Sequence, residues 1–466
     1  MTGNSNALPP AFLLSLHMHH LHQFWIRVTS SLWFVPLSMV FGAIALAVLF
    51  IAMDQAVGSD WIMKESLVFG VGASGARGML TAIAGSMMTV ASLTFSLTIA
   101  TLATMSSQYT SRLIRNFMRD RVNQFVLGYF VGLFAYCLVV LRTIRAGDEV
   151  AFVPPLAVMG GLLFALLSIG VLIYFIHHIA ESIQVGVILR RVTNETMKAI
   201  DELFPAVVGE SGAEGGAFPG LASVKIDANS EEFVDDKHRW HAVSSRRFGY
   251  VQSVDAKGLL EKAVEVGGLV RMSVDIGSFI TPAGSLCEIA IASPPGDDLL
   301  GELRGTFSIG SARTVKQDAA FGIRQIVDIA LRALSTGVND TTTSVMCVEH
   351  LSVLLETLAA KSLPDRMRAE DGEVRIIASG RSFDVLTGLC LDQIRQSAPG
   401  NAAVMLALLR AIEAAGRQTS DHARRRTLSR HATLIATLTR EMVTCSDDAG
   451  PVLTTANAII DELDAA

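Results

Sequence analysis

Charge is scarce in this chain, and the scarcity is uneven. Asp, Glu, Lys and Arg make up 18% of the 466 residues, against roughly a quarter in soluble domains. The deficit is concentrated in the first half of the chain. The formal net charge of −6 leaves no basic footprint for a nucleic-acid partner. Paired cysteines are also missing. Cys137, Cys287, Cys347, Cys390 and Cys445 are scattered and never spaced C-x-x-C, which reads as free thiols in a reducing compartment, not as a disulfide or zinc framework. The first basic residue is Arg27, and no A-x-A site follows a short apolar stretch, so no cleaved signal peptide is read. P-loop, G-x-S-x-G and H-E-x-x-H motifs are absent, as is a G-x-G-x-x-G after a strand. No enzyme class and no cofactor follow from the sequence.

Long uncharged runs are abundant instead. Stretches 28–53, 78–111, 122–141 and 150–180 contain no Asp, Glu, Lys or Arg. A bilayer core of about 30 Å needs about 20 apolar residues in a helix, and burying a charge there is costly. The four runs therefore predict four membrane spans, at about 31–53, 79–105, 122–141 and 153–178. Arg112, Arg115, Arg119 and Arg121 follow the second run, and Arg190, Arg191 and Lys198 follow the fourth. By the excess of basic residues on the inner side, both termini are expected in the cytoplasm of a bacterial cell whose inner membrane holds the spans.

The second run is unusual. Ser86, Thr89, Ser92, Thr94, Ser96, Thr98, Thr101 and Thr104 put eight hydroxyls into one span. On a helix, Thr89, Ser92 and Ser96 share one face, while Thr94, Thr98 and Thr101 lie nearly opposite. Two readings stay open. Small residues let helices approach, and their hydroxyls can bond back to the preceding turn. Alternatively, hydroxyls replace part of a solute's water shell along a hydrated pathway, for which Ser86 is a further candidate. Gly128-x-x-x-Gly132 in the third run favours close helix crossings, within a protomer or between copies of the chain.

Arg112, Arg115 and Arg119 form a stripe at headgroup level, suited to lipid or anion contact. His17, His19, His20 and His22 cluster before the first run, and His177 and His178 close the fourth. Without a neighbouring carboxylate or thiol in sequence, the histidines are weak metal candidates.

Beyond the spans, 181–204 reads as a helix continuing the fourth run, and 209–220 as a glycine-rich linker. Strands are predicted at 249–254, 269–274 and 285–292, with a helix at 255–265. From 316 onward the pattern is helical: 318–333, a segment ending near 358, 382–397, 402–416 and one last long helix. Gly337 is a plausible helix stop, and Asn339 or Asp340 a plausible cap. Arg324, Asp328, Asn339 and Asp340 are the ligand-site candidates of this half.

Two stretches carry a resemblance. One is Thr89-Val-Ala-Ser-Leu-Thr-Phe-Ser96 leading to Ser106-Ser-Gln-Tyr-Thr-Ser-Arg-Leu113. The other is Asp318-Ala-Ala-Phe-Gly-Ile-Arg-Gln-Ile-Val-Asp-Ile-Ala-Leu-Arg-Ala-Leu334, followed by Gly337-Val-Asn-Asp-Thr341. Together they resemble the bacterial membrane family called domain of unknown function 2254. Thr341 stands where that family usually has proline. The resemblance implies membrane topology and brings no reaction with it.

The expected architecture is a polytopic α-helical membrane protein: four transmembrane helices plus a cytoplasmic α+β domain with a mainly helical C-terminal part. The segments are 1–27 (N-terminal), 28–180 (spans), 181–222 (helical extension and linker), 223–300 (small α+β module) and 301–466 (helical domain). The expected partners are the lipid bilayer and further copies of the chain. The functional expectation is a homo-oligomeric channel or passive pathway lined by the second span, with the soluble half as vestibule or gate. The alternative is a non-transporting sensor or scaffold whose soluble half binds a partner or small ligand.

Overall fold

The computed structural model describes residues 33–57, 73–108, 120–144, 152–203, 210–211, 239–315, 317–361, 367–370 and 373–465. The chain divides into two compact units, Met1–Gln184 and Val185–Ala466.

The first unit contains α1 (Phe34–Val57), α2 (Ala73–Gln108), α3 (Arg121–Thr143) and α4 (Pro155–Ser182). All four are long and apolar enough to cross a membrane. A charge-free search underestimates their length, because helix continues past the first ionised side chain. Asp54 lies inside α1, and Arg77 inside α2. The central helix is α3, which packs against α1, α2 and α4. Its glycines allow this. A Cβ on Gly128 would stand 2.9 Å from the Pro36 Cα and 2.7 Å from the Met39 sulfur, so α1 crosses directly over it. Gly132 lies one turn on, where a Cβ would sit 3.4 Å from that of Ala43. On α4, a Cβ at Gly160 would meet the Tyr136 hydroxyl at 2.7 Å, whereas Gly170 has open space around it.

The expected continuation of the fourth span as one helix does not hold. The helix ends at Ser182, with the Gln184 N–H turned back to the Glu181 carbonyl at 3.1 Å, and a separate helix, α5 (Val185–Leu203), begins after two intervening residues. It belongs to the second unit and is amphipathic. Ile188, Leu189, Val192, Thr196, Ala199 and Ile200 are buried against that unit.

The second unit is α+β. Its strands are β1 (Glu210–Ser211), β2 (Arg239–Ser244), β3 (Gly249–Val254), β4 (Leu269–Met272), β5 (Phe279–Ile280), β6 (Ser285–Ile291), β7 (Phe307–Gly310), β8 (Met367–Glu370) and β9 (Glu373–Ile377). They form a six-stranded sheet in the order β1-β8-β9-β4-β6-β2 and a three-stranded sheet β5-β3-β7. Within the larger sheet only β4 and β9 run parallel. The helix α6 (Ala256–Glu265), capped by the Asp255 carboxylate on the Gly258 N–H, buries Leu259, Leu260 and Ala263 in the core that the strands enclose. A second short helix, α7 (Asp297–Gly305), precedes β7.

This corrects the expected division into a module at 223–300 and a helical domain from 301. Strands β7, β8 and β9 lie beyond residue 300, and β9 is hydrogen-bonded into the same sheet as β4. The reason is topological: β8 and β9 are four and five residues long, too short to stand out from helical surroundings until a neighbouring strand edge pairs with them.

The helical layer comprises α8 (Ala319–Ala333), α9 (Thr341–Ala360), α10 (Phe383–Ser397), α11 (Ala402–Gly416), α12 (His422–Met442) and α13 (Ser446–Asp464). Two helices stand where one last helix is expected, separated after Met442 by a short break at 443–445. Each start carries a cap that satisfies free backbone N–H groups, except α13, whose N-cap is Cys445. The caps are Asp318, Asp340, Ser382, Asn401 and Asp421. Gly337 is not the residue that ends α8. The helix stops at Leu334, and Asn339 takes the left-handed conformation, with φ +49°. Thr341 is the first residue of α9, where a proline would lose no hydrogen bond. Its hydroxyl accepts from the Asn401 amide at 2.8 Å. The glycine of the Phe321-Gly-Ile stretch also has a packing role. A Cβ on Gly322 would lie 1.9 Å from the Thr196 hydroxyl of α5, so only glycine lets α5 and α8 meet there.

Helix α9 is also long and apolar enough to cross a membrane, which brings such helices to five among the described residues. The protein is thus mostly helical, with five candidate membrane-crossing helices and a strand-containing C-terminal region.

Candidate functional site

The hydroxyls of α2 divide into two populations. Thr94 and Thr101 are buried, at 2% and 4% exposure, and Thr98 is partly buried against the bundle. Ser86, Thr89, Ser92 and Ser96 are exposed on the outer face of the unit. The inward threonines are locally satisfied: Thr94 Oγ1 donates to the Ala91 carbonyl and Thr98 Oγ1 to the Thr94 carbonyl, each at 2.8 Å. On the outer face, Thr89 donates to the Gly85 carbonyl at 3.0 Å.

Facing Thr94 and Thr98 across the bundle are two amides of α3. Asn123 and Gln124 are 6% and 3% exposed. Both line a small cavity of about 10 Å³ with Thr94, Phe95, Thr98, Leu127 and Phe175. Neither Nδ2 nor Oδ1 of Asn123 has a hydrogen-bond partner. One turn away, Asp120 caps α3 through the Val122 N–H at 2.9 Å, and its second oxygen lies 2.7 Å from His178 Nε2. The His178 ring stacks on Tyr174 with centroids 6.1 Å apart. Asp120 is thus the carboxylate partner that no local pattern revealed, since 58 residues separate the two. His177 instead faces Glu181 at 3.7 Å on the exposed side.

A buried carboxylate closes the other end of the bundle. Asp54, 6% exposed, accepts from the Leu156 and Ala157 N–H groups, both at 3.1 Å. The Tyr136 hydroxyl donates to the Ala157 carbonyl at 2.7 Å. Arg77 donates to the Ile144 carbonyl at 2.8 Å. Gly128 and Gly132, the packing candidates, line an apolar groove of about 220 Å³ beside α1 together with Met39, Gly42 and Ala43. Arg112, Arg115, Arg119, His17, His19, His20 and His22 lie outside the described residues. Among the described residues no group of three or more His, Cys, Asp or Glu could hold a metal.

In the second unit the four ligand-site candidates take separate roles. Arg324 pairs with Gln393 of α10. Asp328 lies one turn further along α8 and is partly buried. Asp340 caps α9, bonding the Thr343 N–H at 3.0 Å and its hydroxyl at 2.6 Å, which holds its carboxyl below the usual value. Asn339 supplies the turn. The charged cluster that tertiary structure does assemble centres on Asp318, 3% exposed. Arg313 grips it with two bonds of 2.8 and 2.9 Å, Arg381 approaches to 3.6 Å, and the Phe321 N–H caps onto it at 3.0 Å. Burial raises the Asp318 pKa while the arginines oppose the rise. Gly277, at φ +86°, leaves the room: a Cβ there would lie 2.1 Å from the carboxylate. This cluster ties three loops to the start of α8.

Comparison with known sequences agrees with the two stretches. The family described as "Predicted membrane protein (DUF2254)" matches residues 29–414. The chain belongs to this family. DUF2254 relatives include Uncharacterized protein Mb1321c of Mycobacterium bovis and Uncharacterized protein Rv1290c of Mycobacterium tuberculosis. Each is 34% identical over 368 residues, covering 78% of this chain and 67% of the relative. No solved structure matches. Membership in DUF2254 and the apolar helices make this a membrane protein.

Proposed function

We propose that the protein is a homo-oligomeric channel or passive pathway for ions or small solutes in the bacterial inner membrane. The outer face of α2 lines the path, and the second unit serves as a cytoplasmic vestibule or gate. The observation that carries this reading is the orientation of the hydroxyls. Ser86, Thr89, Ser92 and Ser96 are exposed on a helix that crosses the bundle's surface, where lipid tails offer no partner to a hydroxyl. Facing other copies around an axis, the same groups meet each other and water. Gly78 and Gly85 of α2 have open space at their Cβ positions, which leaves room for a neighbouring helix. The inward set, Thr94, Thr98 and Thr101, serves packing within the protomer in this reading.

Four spans, not five, belong to the membrane. Helix α9 packs against α5, α8 and α11 within the second unit and carries Glu349, His350 and Glu356, so it acts as a core helix of the soluble part. With four spans, both termini lie in the cytoplasm in this reading, which the basic residues after α2 and α4 in the sequence support.

Planar-bilayer recording of the purified protein tests the reading. The expected result is conductance that falls when Ser92 and Ser96 are replaced by valine and that becomes thiol-blockable with Ser92→Cys. Silence across ions, tension and pH, together with stabilisation of the full-length protein by a metabolite, would support the sensor or scaffold reading instead.

A further inference from the structure

The small cavity between α2 and α3 is the one place in the described bundle where a buried amide side chain lacks hydrogen-bond partners altogether. Asn123 is more than nine-tenths buried, and both its donor and its acceptor are unpaired. Leaving such atoms bare in a low-dielectric interior is unfavourable, so a partner is expected there. The lining is chemically asymmetric. Thr94 and Thr98 have already given their hydroxyl protons to the Ala91 and Thr94 carbonyls, so each offers only oxygen lone pairs to the cavity. Asn123 offers two N–H donors and one carbonyl acceptor.

A ligand that fits must donate to the threonine oxygens and accept from the Asn123 amide. A bare metal cation donates no hydrogen bond and accepts none, so Nδ2 would stay unpaired. An anion would face the threonine lone pairs. The cavity, about 10 Å³, matches the space needed to hold one water and no more. No charged side chain lines the cavity, and Asp120, one turn along α3, is already paired with His178, so no lining charge offsets that of an ion. We propose that this pocket is a binding site for a single neutral, water-sized molecule that both donates and accepts hydrogen bonds, namely one fixed water that ties α2 to α3 through Thr94, Thr98 and Asn123.

Electron cryomicroscopy of the full-length protein in lipid nanodiscs, at a resolution that separates ordered waters, tests this. The expected result is one isolated density peak within about 2.7–3.2 Å of the Asn123 amide and of a threonine Oγ1. Thr98→Val should weaken that peak and leave the helix backbones in place, and Asn123→Leu should abolish it. If Asn123→Leu does not fold, the Thr98→Val map and the wild-type map still decide the matter. A wild-type map in which Asn123 bonds directly to a protein group, with no peak, overturns the proposal. So does a peak that grows when sodium is replaced by rubidium or thallium, since that marks a metal ion.

Discussion

Helix α4 begins without a cap of its own, and this makes Asp54 the most informative residue to perturb. The N-cap position is Pro154, which has no polar side chain, and the first helical residue is Pro155, which has no N–H. The Val158 N–H is satisfied by the Pro154 carbonyl at 3.1 Å. That leaves the Leu156 and Ala157 N–H groups, and both go to the Asp54 carboxylate at 3.1 Å. A cap is thus supplied by another helix, 102 residues away in the chain, at the end of α4 where the helix dipole favours negative charge. Asp54→Ala removes both bonds and exposes two buried donors. Charge-assisted bonds are worth roughly 1.5–3 kcal/mol each, and loss of an ordinary cap costs about 0.5–2 kcal/mol. The combined cost should be about 2–3 kcal/mol, on the order of a hundredfold in the unfolding constant. Asp54→Asn keeps one acceptor and loses the charge, so about half that cost is expected. Equilibrium unfolding in mixed detergent micelles, with helix content as signal, measures both. If Asp54→Ala unfolds within about 0.5 kcal/mol of the wild type, the corner is not held this way and the reasoning fails.

Further expectations follow from particular contacts. Gly128→Ala should destabilise the bundle measurably, because its Cβ would press on Pro36 and Met39, whereas Gly170→Ala should be nearly neutral; thermal unfolding in detergent compares them. Gly322→Ala should disrupt the docking of α5 on α8, since a methyl would stand 1.9 Å from Thr196; a cost above about 2 kcal/mol is expected, and Gly322→Ala with Thr196→Ala should recover part of it. His431, 1% exposed on the face of α12 toward Asp392 of α10, has its pKa held below the ordinary imidazole value of 6.5 by burial and by Arg430 and Arg395, with Asp392 and Asp384 opposing. The folded chain therefore keeps it neutral, so its stabilising contribution is present above pH 6.5 and is lost as pH falls below that value toward the lower folded pKa. His431→Gln should flatten that acid limb in a thermal-unfolding series, and an unchanged slope would refute the assignment.

Much of the helical framework was legible from residue patterns. The uncharged runs located α1 to α4 because hydrocarbon excludes charge whatever the fold. The predicted bounds nonetheless stopped short. The search for charge-free residues ended the first run at Met53, yet Asp54 belongs to α1, neutralised in effect by the start of α4. Strong local caps made α8, α9, α10 and α11 readable to within a residue or two, because Asp318, Asp340, Ser382 and Asn401 act on N–H groups two or three positions on. Strands β8 and β9 were not readable. β9 is held in the sheet by β4, about a hundred residues earlier, β8 joins through β9, and short strands have no identity until an edge pairs with them.

The candidate site divides the same way. That α2 carries hydroxyls on two opposite faces follows from helical periodicity alone, and the polar pair Asn123-Gln124 inside an uncharged run was a signal available in the sequence. Which hydroxyl face turns inward, where Asn123 lies, and that His178 meets Asp120 depended on how α2, α3 and α4 cross. Local sequence determines helix and cap because their interactions span only three or four residues. The burial of one face and the pairing of distant charges are set by packing between helices, which no single segment encodes.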